Sequence, residues 1–436
     1  VNKKILIIAY YWPPSGGSGV QRWLKFVKYL PQFGWEPHVF TPENPAFSLR
    51  DESLLKDIPE EAEIIHFPIW EPYDAFFKIS KVFGIEKSDK PADTVTVGKP
   101  SLFQKIAKWT RSNFFIPDPR IFWVNPSVKF LTEYLQQNKI NTVITTGPPH
   151  SVHLIGYNLK KKNSSIKWIA DFRDPWSEWG LLDSLGVSEK VRRKHKQLEF
   201  NVLSTADIVT TITPFYVRHF ERLGQRKVNL LTNGFDEDDF KDLRIIRTEK
   251  FTIRHAGIVN EKCDPRPFML AIKNLLKQES FAQQVRIEFI GEVNSTFKNF
   301  VNDIAELKAI TFFIPTVPHK QLLPIYGTSS ILLLILTGYK DAAGYMPGKL
   351  FEYIATGLPV LGVGPTDGDA ANLISESNAG KMIGSDDEEG IKNFVLETYQ
   401  HWTSGRQISP DNKKILYSRK TLTGRLVQIL TGQATL

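Results

Sequence analysis

Hydrophobic residues along this chain fall into short unbroken blocks separated by amphipathic stretches. Residues 4–10 (Lys-Ile-Leu-Ile-Ile-Ala-Tyr) form the first block and predict a buried strand. A glycine-rich turn, Gly16-Gly-Ser-Gly19, follows it. Val20, Trp23, Leu24, Val27 and Leu30 then recur at helical spacing, which places them on one face of a helix. Residues 35–41 predict a second strand, and similar blocks at 63–67, 142–146, 167–171, 207–211 and 227–232 predict five more. A second series begins at 251–256 and continues through 285–290, 310–314, 330–335 and 359–363. Strands that alternate with helices in this way imply mainly parallel, doubly wound sheets, so the fold class is α/β.

Two stretches break the rhythm. Residues 236–250 are charged and weakly patterned and read as a linker between domains. Residues 70–125 hold Trp70, Phe76, Phe77, Phe83, Phe103, Trp109, Phe114, Phe115 and Trp123 among many lysines, and read as an insertion. Within 101–111, Leu102, Ile106 and Trp109 share a helical face while Lys105, Lys108 and Arg111 are basic. Such a helix suits an anionic membrane surface, with covering the sheet as the plainer reading because amphipathic helices normally face a core. The resulting scheme is an N-terminal domain at 1–235, the linker, a C-terminal domain at 251–412, and a segment at 413–436 whose helical part, 420–430, crosses back to the first domain.

Size agrees with two domains, since 436 residues exceed one ordinary core. Hydrophobic content of 42% and charged content of 23% are globular values. A single cysteine, Cys263, leaves no internal disulfide and fits a reducing compartment. The first apolar run is too short for a signal peptide, and the longest, 331–336, is too short to span a bilayer. The expected location is therefore the cytoplasm or the inner face of a membrane. A net charge of +8 favours acidic partners such as nucleotide phosphates or anionic headgroups. Nucleic acid is not expected as a partner, because zinc-ligand spacing, an RNP-like signal and a helix-turn-helix are all missing.

The richest segment is Gly344-Tyr-Met-Pro-Gly-Lys-Leu-Phe-Glu-Tyr-Ile-Ala-Thr-Gly-Leu-Pro-Val360. It predicts a turn at Pro347-Gly348, a short helix from about Lys349 to Gly357, and a core strand. A helix that opens after such a turn aims unpaired amides at whatever lies ahead, which suits phosphate oxygens. Lys349 adds a positive charge, and Glu352 accepts hydrogen bonds from a sugar diol. Other candidates sit where ligands meet doubly wound sheets, at strand carboxyl ends. Gly17 and Gly19 lie in the first turn, although the G-x-G-x-x-G spacing is incomplete. His150 in Gly147-Pro-Pro-His-Ser151 either contacts a transferred group or merely starts a helix. Arg173 and Asp174, beside Asp171 and two tryptophans in 168–176, suit a sugar, with helix capping by Asp174 as the plainer reading. His255-Ala-Gly257, Arg266 and Thr316-Val-Pro-His319 offer groups for a nucleotide or are ordinary strand-end turns. Asp367-Gly-Asp369 matches a D-x-D metal pattern, yet its placement favours a turn with Asp369 as a helix N-cap. No metal ion and no cofactor are expected.

These motifs resemble those of the group 1 glycosyltransferases, retaining enzymes of the GT-B fold, along nearly the whole chain. The likeness rests on the first glycine-rich turn, Leu231-Thr-Asn-Gly-Phe-Asp236, His255-Ala-Gly257 and, most specifically, 347–360. It implies two facing Rossmann-like domains around a cleft and transfer of a sugar from a nucleotide-diphosphate sugar to a glycan or lipid-linked acceptor. The donor would be held by Gly257, Arg266, Val317, His319, Gly348, Lys349, Leu350 and Glu352. The acceptor would enter near Gly17, Gly19, His150, Arg173 and Asp174. His150 best matches the family's catalytic histidine, and Glu352 matches the second glutamate of its E-x7-E motif. The first glutamate falls on Gly344, with Asp341 as a neighbouring substitute. Ile258 stands where an arginine is expected, and Lys262 fits a lysine only by spacing, so the diphosphate charge falls to Arg266 and Lys349. A sugar-nucleotide 2-epimerase and a non-catalytic sugar-nucleotide or envelope-binding protein are the two rival functions.

Overall fold

The structure is a computed structural model that describes residues 3–45, 50–71, 113–178, 182, 185–338, 342–405 and 412–433. Phe76, Phe77, Phe83, Phe103, Trp109, the basic helix expected at 101–111, and Asp341 lie outside the described residues. The chain forms two compact units. The first comprises Val1–Ile212, Tyr216–Leu231 and Thr423–Leu436, and the second comprises Thr213–Phe215 and Thr232–Leu422. Residues 236–250, read from the sequence as a linker, fall inside the second unit.

In the first unit seven strands form one sheet. They are β1 (Lys3–Ile8), β2 (Trp35–Pro42), β3 (Glu63–Phe67), β4 (Thr142–Gly147), β5 (Lys167–Phe172), β6 (Ile208–Thr211) and β7 (Asn229–Leu230). Their order is β3-β2-β1-β4-β5-β6-β7, and every neighbouring pair is parallel. Its main helices are α1 (Ser18–Tyr29), α2 (Ile121–Gln137), α3 (Ser151–Lys162), α4 (Glu189–Thr205) and α5 (Pro214–Gly224), the first two residues of α5 falling in the second unit. Ile5, Leu6, Ile7 and Ile8 are all fully buried, as a central parallel strand covered on both faces requires.

The second unit has six strands: β8 (Phe251–Ala256), β9 (Val285–Ile290), β10 (Thr311–Ile314), β11 (Ile331–Ile335), β12 (Val360–Val363) and β13 (Gly380–Ile383). The order is β10-β9-β8-β11-β12-β13, again parallel throughout. Helices α6 (Arg266–Leu275), α7 (His319–Gly327), α8 (Gly348–Thr356), α9 (Asp369–Glu376) and α10 (Glu388–Thr403) belong to this unit, and α11 (Arg419–Thr431) ends the chain's helices. The carbonyl of Leu430 on α11 accepts from Lys167 Nζ at 2.6 Å within the first unit. Strand β13 escapes the hydrophobic pattern because its first two residues are exposed and only Met382 and Ile383 are buried.

In each sheet the direction of winding reverses once, at β1/β4 and at β8/β11. Chains leaving the two strands at such a point diverge and open a crevice at the carboxyl edge. The glycine-rich turn and 147–150 leave the first switch point. Residues 257–265 and the loop before α8 leave the second.

One buried carboxylate organises the first sheet. Asp171 on β5 receives Arg22 Nε (3.1 Å) and an Arg22 terminal nitrogen (2.8 Å), Trp23 Nε1 (2.7 Å), Thr146 Oγ1 (3.1 Å) and Thr210 Oγ1 (2.8 Å). Burial alone would raise its pKa, but Arg22 and these hydrogen bonds overcome that and lower it to about 2. The pair joins α1, β4, β5 and β6. Asp171→Asn should therefore strand a buried guanidinium and cost the first unit about 3–5 kcal/mol. Urea unfolding followed by circular dichroism measures this, and a loss below about 1 kcal/mol would contradict it.

Candidate functional site

The second switch point gathers the densest set of candidate groups. Helix α8 begins behind Pro347, which has extended backbone and offers no side-chain cap. By position, the amides of Gly348 and Lys349 lack intrahelical partners, whereas the Leu350 amide is bonded to the Pro347 carbonyl at 3.0 Å. A Cβ built on Gly348 meets nothing within 4 Å, so this helix start faces open space. Leu350 itself is fully buried in the core with Phe351, Tyr353 and Ile354, which fixes the helix axis.

Lys349 turns toward the end of β8. Its Nζ donates to the Ala256 carbonyl at 2.8 Å, and the Ala256 amide donates to Tyr353 Oη at 3.1 Å. One peptide residue is thus gripped on both sides by α8. Gly257 makes the approach feasible. Its φ is +137°, and a Cβ there would lie 2.5 Å from Lys349 Nζ. Burial lowers the Lys349 pKa, and Glu352 works against that shift. His255 Nδ1 donates to the Leu333 carbonyl at 3.0 Å, and Nε2 is buried beside Gly257. Burial, reinforced by Lys349, lowers the His255 pKa to about 3 and keeps it neutral.

One turn further along α8, Glu352 points to α7. Its Oε1 accepts from His319 Nε2 at 2.8 Å and its Oε2 from Tyr326 Oη at 3.4 Å. Val317 lies in the loop that leads into α7, just ahead of the N-cap Pro318. Arg266 opens α6 and is half exposed. Its Nε binds Asp264 Oδ1 at 3.0 Å and Oδ2 at 2.7 Å, and Asp264 raises its pKa. An arginine neutralised in this way offers a diphosphate less charge than Lys349 does. Ile258 is exposed. Gly344 sits against Phe215, and a Cβ there would come within 2.4 Å of the ring. Packing therefore excludes a side chain from that position. Asp369 is the first residue of α9 rather than its N-cap, which is Gly368. Its Oδ2 accepts from the Phe215 amide at 2.8 Å, and this contact replaces the expected cap. No three His, Cys, Asp or Glu side chains among the described residues gather as a metal site.

The first switch point is built differently. Gly17, at φ 93°, caps α1 by backbone alone. Arg173 uses its guanidinium to bind three carbonyls, from Gly147 (3.1 Å), Pro148 (2.5 Å) and Gly19 (2.5 Å). It thereby fastens both switch-point turns to the end of β5. Burial raises the pKa of its neighbour Asp174, with Arg173 opposing. His150 occupies the N-cap position of α3 and stacks flat on Trp176, with 4.8 Å between centroids and 1° between planes. Both of its nitrogens are buried, and burial holds its pKa well below the usual value. The imidazole is therefore neutral and sealed by packing, rather than open to an incoming group.

Helix α4 holds Trp176 in place. His195 Nδ1 accepts the indole N–H at 3.0 Å, and Glu199, one turn on, accepts from the Ser177 amide at 3.1 Å and from the Ser177 hydroxyl. Glu199 is 1% exposed, and burial raises its pKa to about 7. The sequence reading missed this pair, as it missed Tyr326 and Tyr353. A trace was present, since His195 and Glu199 stand four apart among apolar positions, and His319 and Tyr326 stand seven apart, on one face.

No protein-family model and no curated protein matches the chain by sequence. Solved structures do match along its full length. Sucrose-phosphate synthase from Thermosynechococcus elongatus superposes with a TM-score of 0.62 at 12% identity, over 99% of this chain and 100% of that one. WaaG, described as a glycosyltransferase of lipopolysaccharide biosynthesis, gives 0.56 at 14% identity over 98% and 100%. A structure described as a UDP-N-acetylglucosamine 2-epimerase from Listeria monocytogenes gives 0.55 at 11% over 100% and 98%. At these identities the likeness is one of fold, and the chain has the GT-B fold of two Rossmann-like units.

Two substitutions test this geometry. Gly257→Ala should push Lys349 off the Ala256 carbonyl and strain a positive-φ position, at a cost of about 1–3 kcal/mol. Unchanged thermal stability would contradict the close approach. Glu199 has a folded pKa raised from 4.5 to about 7, so its contribution is intact below pH 4.5 and is lost as pH rises through 7. The loss amounts to about 3 kcal/mol at most. Glu199→Gln should remove that decline, so wild type and variant should diverge progressively between pH 5 and 8 in denaturant titrations. Parallel pH profiles would refute the buried carboxyl.

Proposed function

We propose that this protein is a glycosyltransferase that moves a sugar from a nucleotide-diphosphate sugar to a glycan or lipid-linked acceptor, with retention and without a metal ion. One observation carries the reading. Helix α8 presents unpaired amides to open space, with Lys349 beside them and Glu352 one turn away. Those groups match the pyrophosphate and ribose of a nucleotide in chemistry and in spacing along one helix. The GT-B fold supplies a suitable frame, and the resemblance of 347–360 to group 1 enzymes agrees with it.

In this scheme the diphosphate lies against Gly348, Lys349 and the Gly257 turn, and the ribose diol reaches Glu352. Val317 and the start of α7 border the base. Lys349 and the helix amides stabilise charge that grows on the leaving diphosphate as the C1–O bond breaks. The acceptor oxygen bonds to C1 on the same face, and its proton passes to a diphosphate oxygen. Arg173 and Asp174 belong to the acceptor side, and His150 contributes there only after its ring is uncovered. The net charge of +8 is consistent with an acceptor at an anionic membrane face, and WaaG is described as acting in lipopolysaccharide biosynthesis. Among the described residues no helix is long and apolar enough to cross a membrane.

A thermal-shift screen against UDP-, GDP-, ADP- and dTDP-sugars tests the reading. One nucleotide class should stabilise the protein, by about 2.7 kcal/mol at a hundredfold excess over Kd, and Lys349→Ala should abolish most of that shift. No shift with any donor, or an equal shift in the variant, would contradict the site. Product analysis with donor alone separates transfer from 2-epimerisation, because an epimer formed without acceptor would establish the rival chemistry.

A further inference from the structure

Glu352 is the sole carboxylate on α8, and its two oxygens are held from different directions. His319 Nε2 reaches Oε1 at 2.8 Å from the first residue of α7. Tyr326 Oη reaches Oε2 at 3.4 Å from two turns further along the same helix. Tyr326 is 1% exposed and packs edge-on against Tyr353, with 5.3 Å between centroids, so its hydroxyl has little freedom to leave. Tyr353 in turn accepts the Ala256 amide whose carbonyl holds Lys349. The carboxylate and the ammonium are therefore tied to one rigid set of side chains.

A carboxylate has about four acceptor directions, two on each oxygen. His319 and Tyr326 use one on each and leave one on each. Two remaining acceptor positions a carboxylate's width apart suit two neighbouring hydroxyls, and suit a single hydroxyl less well. Side-chain freedom that a glutamate would otherwise lose on binding is already spent.

We propose that His319 and Tyr326 are positioning residues that lock the Glu352 carboxylate in the orientation that reads a vicinal diol, and so make the site select ribonucleotides over 2′-deoxyribonucleotides. The proposal rests on the nucleotide reading of α8. It reassigns His319, expected from the sequence to meet the ligand directly, to acting through Glu352.

Titration calorimetry on the full chain tests it with UDP, ADP, GDP and their 2′-deoxy counterparts, and needs no acceptor. Wild type should bind its preferred ribonucleotide at least about tenfold more tightly than the deoxy form. Tyr326→Phe and His319→Ala should bring that ratio down to about twofold while leaving deoxynucleotide affinity within about twofold of wild type. His319→Gln, whose amide still donates to Oε1, should recover much of the selectivity. Melting temperatures of the variants separate misfolding from lost selectivity, because a ratio of affinities is insensitive to the folded fraction. A wild type that binds without preferring ribose, or variants that keep the full ratio, would overturn this inference alone. A wild type that binds none of the six would remove the nucleotide reading and this inference together.

Discussion

A lysine ammonium reaches the carboxyl end of β8 because the residue beneath it has no side chain. Gly257 leaves the space, the Ala256 carbonyl supplies the acceptor, and α8 supplies Lys349 from a helix whose buried face cannot slide. Several other candidate groups in the second unit are linked to that contact. Tyr353 returns to the same residue through the Ala256 amide, and Tyr326, Glu352 and His319 follow outward from Tyr353. Burial of a cation is costly unless it is compensated. Here it has a carbonyl, a nearby carboxylate and a neutral histidine around it.

The two units use the same sheet logic for different ends. In the second, the switch point leaves a helix start facing open space. In the first, the equivalent edge is closed by its own side chains. Arg173 takes three carbonyls, Trp176 covers His150, and α4 secures Trp176 through His195 and Glu199. The helix start proposed to take the donor is thus left open, whereas the groups assigned by that proposal to the acceptor side are engaged with one another. The buried Asp171–Arg22 pair ties the strands of this edge to α1.

Strong apolar blocks made the sheets legible. The expected spans 63–67, 251–256 and 285–290 match β3, β8 and β9 to the residue, and the start of α8 was placed within one position. Strand β13 was not legible, since two of its four residues are exposed and no block marks it. The site was legible only in part. Proline, glycine, lysine and glutamate at 347–352 carry their chemistry in local order. Tyr326 and His319 meet Glu352 across 26 and 33 positions, and no periodicity in one helix announces a partner on another. Gly344 was read as a missing carboxylate. The structure supplies a packing reason for the glycine, because Phe215 occupies the space a side chain would need.

A structure of the protein soaked with the nucleotide diphosphate it binds best is the most direct measurement. The account places the β-phosphate oxygens at the Gly348 and Lys349 amides, with Lys349 Nζ turned to them and both ribose hydroxyls on Glu352. Density for the diphosphate at any other helix start, or a ribose that leaves the Glu352 carboxylate untouched, would contradict it.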